Sequence, residues 1–138
     1  MKVIILTNEP FPNGMAATKR IMCYAQAIKE GGLDCEVLVF RRTEVYGNKP
    51  KNTVGRDTLN SIPFRYAGGT PLRGCNVFIR QINDRLDIWK TDKYLKRNLQ
   101  KGDVLFLYMG KPIKLMLHFI KIAHSRNAYC VRDLCELH

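Results

Sequence analysis

Apolar residues change their spacing several times along the chain, and each change predicts a boundary between a strand and a helix. Residues 3–6 form a continuous apolar run, which is typical of a strand buried on both faces of a parallel sheet. From about Met15 the apolar residues recur at helical spacing, and Gly31 and Gly32 then predict the end of the helix. Residues 36–40 form a second apolar run. The first forty residues therefore predict a βαβ unit.

The rest of the chain continues this alternation after an irregular segment. Residues 41–75 are rich in glycine and proline and hold one short predicted strand, 62–66, which we expect near a sheet edge because Pro63 cannot donate a ladder hydrogen bond. The later predicted elements are a helix over 76–99, a strand over 104–108, a helix over about 112–125 and a strand over 128–131. This order predicts an α/β fold, a Rossmann-like three-layer α/β/α sandwich with a mostly parallel sheet.

The two later helices carry apolar patterns that predict their burial. The helix over 76–99 has a stripe at helical spacing, formed by Ile79, Ile82, Leu86, Trp89 and Leu95. We expect Trp89 to anchor the core or its flank rather than to offer a stacking surface. The helix over 112–125 is apolar on more than one side, so we expect it to be packed on both sides.

The strand ends carry the candidate chemistry of this arrangement. In a doubly wound sheet, ligands collect at the carboxyl ends of the strands, which places residues 7–15, 108–111 and 132–136 on one rim. Gly14 opens the first helix, and free backbone N–H groups there, together with the helix dipole, favour a phosphate. The alternative interpretation is that Gly14 only permits a tight turn.

Two common nucleotide-binding motifs do not occur in the sequence. The first turn has a single glycine instead of GxGxxG, and Arg41 and Arg42 stand where an acidic residue would bind a ribose. These departures argue against a nicotinamide-dependent enzyme. The GxxxxGK[ST] motif of P-loop NTPases is absent as well.

Composition adds a strong positive charge to this picture. The 138 residues include 23 Lys and Arg against 12 Asp and Glu, which gives a net charge of +11. Such a charge fits nucleic acid, an anionic membrane surface or a phosphorylated substrate, or it is only a solvated basic surface. The basic residues are spread along the chain without an aromatic-interleaved motif, so we expect no specific nucleic-acid partner.

Location and metal content are predicted from spacing. No apolar run reaches the ~18 residues of a transmembrane helix, and the first run is too short for a signal peptide, so we expect a cytoplasmic protein. The five cysteines show no CxxC spacing, which predicts reduced thiols. His118 and His124 do not share a helix face, so we expect no metal site.

Three further stretches bear on the family of the chain. They are Asn8-Glu9-Pro10-Phe11-Pro12-Asn13-Gly14-Met15-Ala16-Ala17-Thr18-Lys19-Arg20-Ile21, Gly31-Gly32-Leu33-Asp34-Cys35-Glu36-Val37 and Gly102-Asp103-Val104-Leu105. Together they resemble the N-terminal domain of GT-B glycosyltransferases, in particular glycosyltransferase family 4, and the likeness covers the whole chain as a pattern. Met15 departs from it, because many members have a second glycine there and the larger side chain would narrow access to the donor phosphate.

The resemblance implies that residues 1–138 form the acceptor-side half of a GT-B architecture, without the C-terminal donor-binding domain. The E-x7-E motif of that second domain does not occur here. The implied reaction transfers a sugar from a nucleotide-sugar donor to an acceptor hydroxyl, in polysaccharide or glycolipid synthesis, without a metal or another cofactor. This chain alone would be inactive.

The resemblance also implies where the site residues lie. The cleft for the donor phosphate and acceptor would include Asn13, Gly14, Met15 and Thr18, the acceptor-side rim would include Tyr108, Gly110 and Lys111, and Asp133 and Glu136 are the catalytic candidates. Carboxylates at a strand end can accept hydrogen bonds from sugar hydroxyls or orient the acceptor nucleophile, although a surface or capping role is the alternative. Lys111 would meet a phosphate or remain solvated.

The expected partners follow from the same resemblance. They are a nucleotide-sugar donor, a sugar or lipid-linked acceptor and the chain's own C-terminal domain. The basic residues of 41–75 and 76–99 would bring the protein to the anionic inner face of a membrane. Two alternatives stay open, namely a non-catalytic basic α/β module that binds nucleic acid or a phosphorylated ligand, and a GT-B-type sugar-nucleotide epimerase.

Overall fold

A computed structural model describes residues 1–110 and 112–133, which form one six-stranded sheet with three helices. The strands are β1 (Lys2–Thr7), β2 (Asp34–Val39), β3 (Arg56–Leu59), β4 (Ile62–Tyr66), β5 (Val104–Tyr108) and β6 (Tyr129–Arg132). The helices are α1 (Ala16–Glu30), α2 (Val77–Asn98) and α3 (Ile113–Ser125). The strand order is β3-β4-β2-β1-β5-β6, with β3 antiparallel to β4 and the other neighbours parallel. The prediction of an α/β fold with a mostly parallel sheet is confirmed.

Helices cover both faces of this sheet. Leu6 of β1 belongs to a hydrophobic cluster with Leu95 of α2 and Phe119 of α3. The preceding residue, Ile5, belongs to a second cluster with Ile21 of α1, because successive side chains of a strand point to opposite faces. Helix α1 therefore lies on one face, and α2 and α3 lie on the other.

The central strand β1 marks the point where the winding of the sheet reverses. It pairs in parallel with β2 on one side and with β5 on the other. The helix that follows β1 covers one face, whereas the helix that follows β5 covers the opposite face. The carboxyl ends of β1 and β5 consequently form a topological switch point, which is where α/β proteins have their ligand crevice.

One strand in the irregular segment was not predicted. β3 and β4 form a hairpin whose two turn residues, Asn60 and Ser61, have φ values of 51° and 67°. Such turns usually contain Asn-Gly or Asp-Gly, so a Ser in the second position gave no hairpin signal. β4 lies next to the edge rather than at it, and the ladder between β4 and β2 begins at Phe64, one residue after Pro63.

Most of the apolar stripe predicted for α2 is exposed. Ile82 and Trp89 are 65% and 57% exposed, and Ile79 and Leu86 are 40% and 39% exposed. Trp89 was predicted to anchor the core or its flank, and its exposure shows that the core position is wrong. Leu95 is fully buried, as predicted. The pattern therefore located the helix but failed to show which part of it meets the core.

The length of α2 relative to the sheet explains this exposure. The carboxylate of Asp87 in α2 forms an ion pair with Arg42, which lies just beyond the carboxyl end of β2. The same carboxylate packs so closely against Gly68, just beyond β4, that a side chain on Gly68 would clash with it. From Asp87 the helix continues to Asn98 alongside the sheet, toward the edge at which β5 begins. Residues 77–86 thus extend beyond the sheet, over about 15 Å at 1.5 Å per residue. Their apolar side chains have no strand beneath them.

Helix α3 is buried on one side only. Met116, Phe119 and Ile122 are buried, whereas Ile113 and Leu117 are 60% and 51% exposed. The prediction that it is packed on both sides is wrong, because none of the described elements covers its outer face. Across residues 1–110 and 112–133, no helix combines the length and apolar character that crossing a membrane requires.

Candidate functional site

The turn between β1 and α1 is anchored to the sheet by a buried tyrosine. The hydroxyl of Tyr66, the last residue of β4, donates to the carbonyl oxygen of Phe11 at 2.8 Å and accepts from its backbone N–H at 3.2 Å. Oγ1 of Thr43 lies 3.1 Å from the same hydroxyl. Burial raises the pKa of Tyr66, so that its hydroxyl stays neutral and can donate. Phe11 is itself fully buried, and its position fixes where the turn begins.

A second anchor comes from the irregular segment. The backbone N–H of Asn13 donates to Oδ1 of Asn52 at 2.9 Å, and Nδ2 of Asn52 donates to the carbonyl oxygen of Asn13 at 2.8 Å. Oε1 of Glu44 accepts from both the backbone N–H and Nδ2 of Asn52, at 2.7 and 2.9 Å. Asn52 is only 2% exposed. The backbone of Asn13 is therefore held by a buried amide that is itself held by a carboxylate.

Gly14 is required by the packing of this turn. Oγ1 of Thr18 donates to the carbonyl oxygen of Pro10 at 2.6 Å, which closes the first turn of α1 against the loop. A Cβ on Gly14 would clash with that hydroxyl and would lie 3.2 Å from the Pro10 oxygen. The candidate residues Gly14 and Thr18 are thus in contact, and the Thr18 hydroxyl holds the shape of the turn.

The start of α1 has the character of an anion site. Met15 is 79% exposed and precedes the first helical residue, Ala16. In the described part of the chain, Met15 makes no capping hydrogen bond with its side chain, and the first turn of α1 contains no acidic residue. The first N–H groups of any α-helix lack an intrahelical acceptor, and their partial positive charge attracts anions.

Two cavities flank this turn. The larger has a volume of about 780 Å³ and the smaller about 390 Å³. Both are lined by Asn13, Gly14 and Lys51, with Lys19 in the larger cavity and Lys49 in the smaller one. The predicted cleft residues therefore share one location, with lysines on both sides of the turn.

The predicted acceptor-side rim meets the other side of α1. The hydroxyl of Tyr108, at the end of β5, accepts from Nη1 of Arg20 at 3.3 Å, and Oδ2 of Asp133 accepts from the hydroxyl of Tyr24 at 3.0 Å. Tyr108 is also the register partner of Thr7. Helix α1 thus brings the ends of β1, β5 and β6 together, with Asp133 one residue beyond β6.

Some of the predicted site residues receive no structural description. Gly110 follows β5 at the same edge of the sheet. Lys111 and Glu136 lie outside the described residues.

Among residues 1–110 and 112–133, no three His, Cys, Asp or Glu side chains are placed to hold a metal ion. His118 instead bonds to Oδ2 of Asp92 at 2.7 Å, which joins α3 to α2.

Sequence reasoning missed the residues that fix the turn. Asn52 and Tyr66 lie 39 and 55 positions from Asn13 and Phe11, the turn residues that they hold. Glu44 acts through Asn52, eight positions away. No spacing rule connects such distant positions. The available signal was the length of the irregular segment 41–75, because long irregular segments in compact domains usually have a function.

Comparison with known proteins adds no family to this description. The chain was compared with protein-family models, with curated proteins and with solved structures, and none of them matches it. The function is therefore proposed from the geometry of the site.

Proposed function

We propose that the chain is the acceptor-side domain of a GT-B glycosyltransferase, which transfers a sugar from a nucleotide sugar to an acceptor hydroxyl. The observation that carries this proposal is the turn at Asn13, Gly14 and Met15, fixed by Asn52 and lying between two lysine-lined cavities. Sites for small molecules typically enclose about 300–1,000 Å³. The larger cavity, with about 780 Å³, has this size.

The turn suits the phosphates of a nucleotide-sugar donor. The open start of α1 offers backbone N–H donors, and Lys19 and Lys51 add positive charge nearby. Because Asn52 and Tyr66 already hold the turn, binding would cost little ordering of the backbone. We assign the donor phosphates to this turn and the acceptor to the side of Tyr108 and Asp133.

Asp133 is the catalytic candidate on the acceptor side that lies within the described residues. Its carboxylate accepts from the Tyr24 hydroxyl, which fixes the position of Oδ2 just beyond the end of β6. It would orient the acceptor oxygen for attack on the sugar donor. Glu136, Lys111 and Gly110 remain proposed members of this rim.

Phosphate binding can be tested on the chain itself by nuclear magnetic resonance. We expect UDP, GDP or inorganic pyrophosphate to shift the backbone amide signals of 13–18 and 49–52. The double variant Lys19→Ala and Lys51→Ala should weaken this binding by about thirtyfold, since the two charged contacts contribute roughly 1 kcal/mol each. Lys29→Ala, on the exposed end of α1, is the matched control. Shifts spread evenly over the basic surface would contradict a site at the turn.

Sugar transfer needs the second half of the proposed architecture. We expect the downstream reading frame to encode an α/β domain with an E-x7-E motif. The extended protein should transfer sugar from a nucleotide sugar, and Asp133→Asn should lower kcat more than it raises KM for the donor. Turnover of the nucleotide sugar without an acceptor would favour an epimerase of the same architecture instead.

The net charge of +11 favours one second candidate, a basic module that binds nucleic acid or another phosphorylated ligand without catalysis. Such a module would bind generic duplex DNA with an affinity near ~10⁻⁶ M that falls steeply with salt. Its binding would depend on the whole basic surface. Lys29→Ala would then weaken it as much as Lys51→Ala, which separates the two proposals.

A further inference from the structure

We propose that the first half of α2 is a membrane-docking surface for anionic lipid. The surface is an apolar stripe of five residues at helical spacing, namely Phe78, Ile79, Ile82, Leu86 and Trp89. This proposal narrows the expected membrane contact of residues 76–99 to one apolar stripe. It rests on the exposure of that stripe and not on the proposed sugar transfer.

The stripe is apolar surface that the fold leaves uncovered. Phe78, Ile82 and Trp89 are more than half exposed, and Ile79 and Leu86 are 40% and 39% exposed. These residues repeat every three to four positions, so they follow one side of the helix. The buried positions Asp87, Thr91 and Leu95 follow the opposite side. Contiguous exposed apolar surface of this kind marks an interaction site.

Positive charge borders the stripe. Helix α2 carries six basic residues, Arg80, Arg85, Lys90, Lys93, Lys96 and Arg97, against three acidic residues, Asp84, Asp87 and Asp92. Two of the acids are already engaged, Asp87 with Arg42 and Asp92 with His118. The ammonium group of Lys93 lies 5.2 Å from the centre of the Trp89 ring. The surface therefore combines exposed aromatic and aliphatic groups with a cationic border.

This combination matches a lipid surface better than a protein partner. Helices that lie in the membrane interface place Trp, Phe and Leu toward the acyl chains and Lys and Arg toward the headgroups. Lysine is depleted where proteins bind one another, whereas Lys90 and Lys93 border the stripe next to Trp89. A second copy of the chain would bring one charge of +11 against another. Anionic lipid complements the charge instead.

Because of the position of the stripe, docking would bring the carboxyl edge of the sheet close to the membrane. Residues 77–86 extend beyond the carboxyl edge of the sheet, and the turn at Gly14 lies at the same edge. A docked α2 would hold that edge near the bilayer. A ligand bound at the turn would then be delivered from, or next to, the lipid surface.

Trp89 makes the proposal directly testable, since it is the only tryptophan in the sequence. The 138-residue chain is mixed with vesicles of phosphatidylcholine, either alone or with phosphatidylglycerol. We expect sedimentation with the anionic vesicles only, together with a blue shift of the Trp89 emission. Phosphatidylcholine brominated on its acyl chains should quench that emission when phosphatidylglycerol is also present.

Substitutions separate the two contributions to docking. The double variant F78S/I82S should weaken binding to anionic vesicles by about tenfold or more, because it removes two of the most exposed apolar side chains of the stripe. R85E/K93E should weaken it by a similar factor through charge. The matched controls are Y129S/V131S, which removes exposed apolar groups from β6, and K29E, which reverses a charge on α1. Both controls should bind as the unchanged chain does.

Several results would overturn the proposal. They include equal binding to neutral and anionic vesicles, binding without a change in Trp89 emission, and F78S/I82S binding as well as its controls. Sedimentation equilibrium without lipid gives a further check, since dimers lost in F78S/I82S would assign the stripe to a second copy. Circular dichroism confirms that each variant is folded. Because no donor or acceptor sugar is present, failure here leaves the proposed sugar transfer untouched.

Discussion

Gly14 has no room for a side chain. The substitution Gly14→Ala, which adds a single methyl group, therefore tests the packing of the turn. A Cβ at this position would clash with Oγ1 of Thr18 and press on the carbonyl oxygen of Pro10. We expect Gly14→Ala to lower the free energy of unfolding by about 1–3 kcal/mol, as overpacking commonly does. Urea unfolding measures this change.

Two comparisons make this prediction specific. A Cβ on Gly110 meets no atom of the described residues within 4 Å, so Gly110→Ala should be nearly neutral. Thr18→Ala removes the clashing hydroxyl, and Gly14→Ala should therefore cost less in its presence. Equal costs in both backgrounds would show that Thr18 does not limit the space at Gly14.

A single buried thiol predicts how stability changes in alkali. Burial raises the pKa of Cys35 to about 11 from its ordinary value of 9.0, and the nearby carboxylate of Glu36 adds to the rise. The folded chain therefore holds this proton more tightly than the unfolded chain does. Stability is full below pH 9 and declines as the pH rises from about 9 to 11, by roughly 3 kcal/mol in total.

Variants of two cysteines check this pH dependence. In urea unfolding under reducing conditions, Cys35→Ala should reduce the decline between pH 9 and 10. Burial also raises the pKa of Cys130, which accounts for part of the remaining decline. Cys23→Ala, which removes an exposed thiol, should leave the decline unchanged. The measurement is made below pH 10 because burial also raises the pKa of Tyr66 above its ordinary value of 10.0. Ionisation of Tyr66 would therefore add to the loss of stability at higher pH. A decline of the same size in Cys35→Ala and in the unchanged chain would assign it to other groups.

At the level of single residues, local patterns revealed only part of the site. Gly14 and Thr18 lie within five positions of each other, so their shared turn was predictable from the sequence. Asn52 and Tyr66 reach the same turn across 39 and 55 positions. Their roles depend on the folded path of the chain, which no local spacing encodes.

A buried ion pair contributes to the docking of helix α2 on the sheet. Nε of Arg42 lies 3.1 Å from Oδ2 of Asp87, whose side chain is almost fully buried. Burial raises the pKa of Asp87, while its hydrogen bond from Arg42 acts in the opposite direction. We expect Arg42→Ala to lower the free energy of unfolding by about 3–5 kcal/mol at pH 7, because it leaves a buried charge without a partner.

The cost of Arg42→Ala should depend on pH. Without Arg42 the pKa of Asp87 rises further in the folded chain, so stability is lost as the pH increases above the unfolded pKa of about 3.9. The variant should therefore lie closer to the unchanged chain at pH 5 than at pH 7. Replacing both partners, in R42M/D87L, should recover most of the loss. Arg85→Ala on the exposed side of α2 is the control, and equal losses for both arginines would contradict the ion-pair account.

At the level of elements, periodicity located helices better than it predicted their burial. The bounds of α2 were predicted within a residue or two, because Asn76 caps it and the apolar spacing is helical. Its exposure depends on where β2 and β4 end, which is a property of the sheet. β3 was missed for a related reason, since its four residues are all exposed and carry no apolar alternation.

The whole molecule carries enough positive charge for salt to affect its stability. With a net charge of +11, the folded chain repels itself, and the repulsion is screened as ionic strength rises. The screening length falls from about 30 Å at 0.01 M to about 8 Å at 0.15 M. We expect the free energy of unfolding to increase over this range in sodium chloride.

Sodium sulfate at matched ionic strength separates screening from binding. Equal stabilisation by the two salts indicates general screening of charge. A larger effect of sulfate, reduced by Lys51→Ala but not by Lys29→Ala, indicates an anion held at the start of α1. No stabilisation by either salt would contradict the expected self-repulsion.

The fold class was predictable because the strands inside the sheet have strong apolar runs that alternate along the chain with segments of helical apolar spacing. Val3 to Leu6 and Val104 to Leu107 are continuous apolar runs, and both lie in strands that have a neighbour on each side. The candidate site depends instead on polar residues of the irregular segment. Asn52 and Glu44 have no pattern of their own, and they matter only once that segment packs against the turn.

The hydrogen bonds between Asn13 and Asn52 also set an order of events during folding. The backbone of the turn cannot be held in place before the chain has closed a loop of about forty residues, and such loops close later than local helices form. The site is therefore expected to complete itself after α1 and the central strands. Slow hydrogen exchange at the Asn13 amide would then report the docking of the irregular segment, even though Asn13 lies outside it.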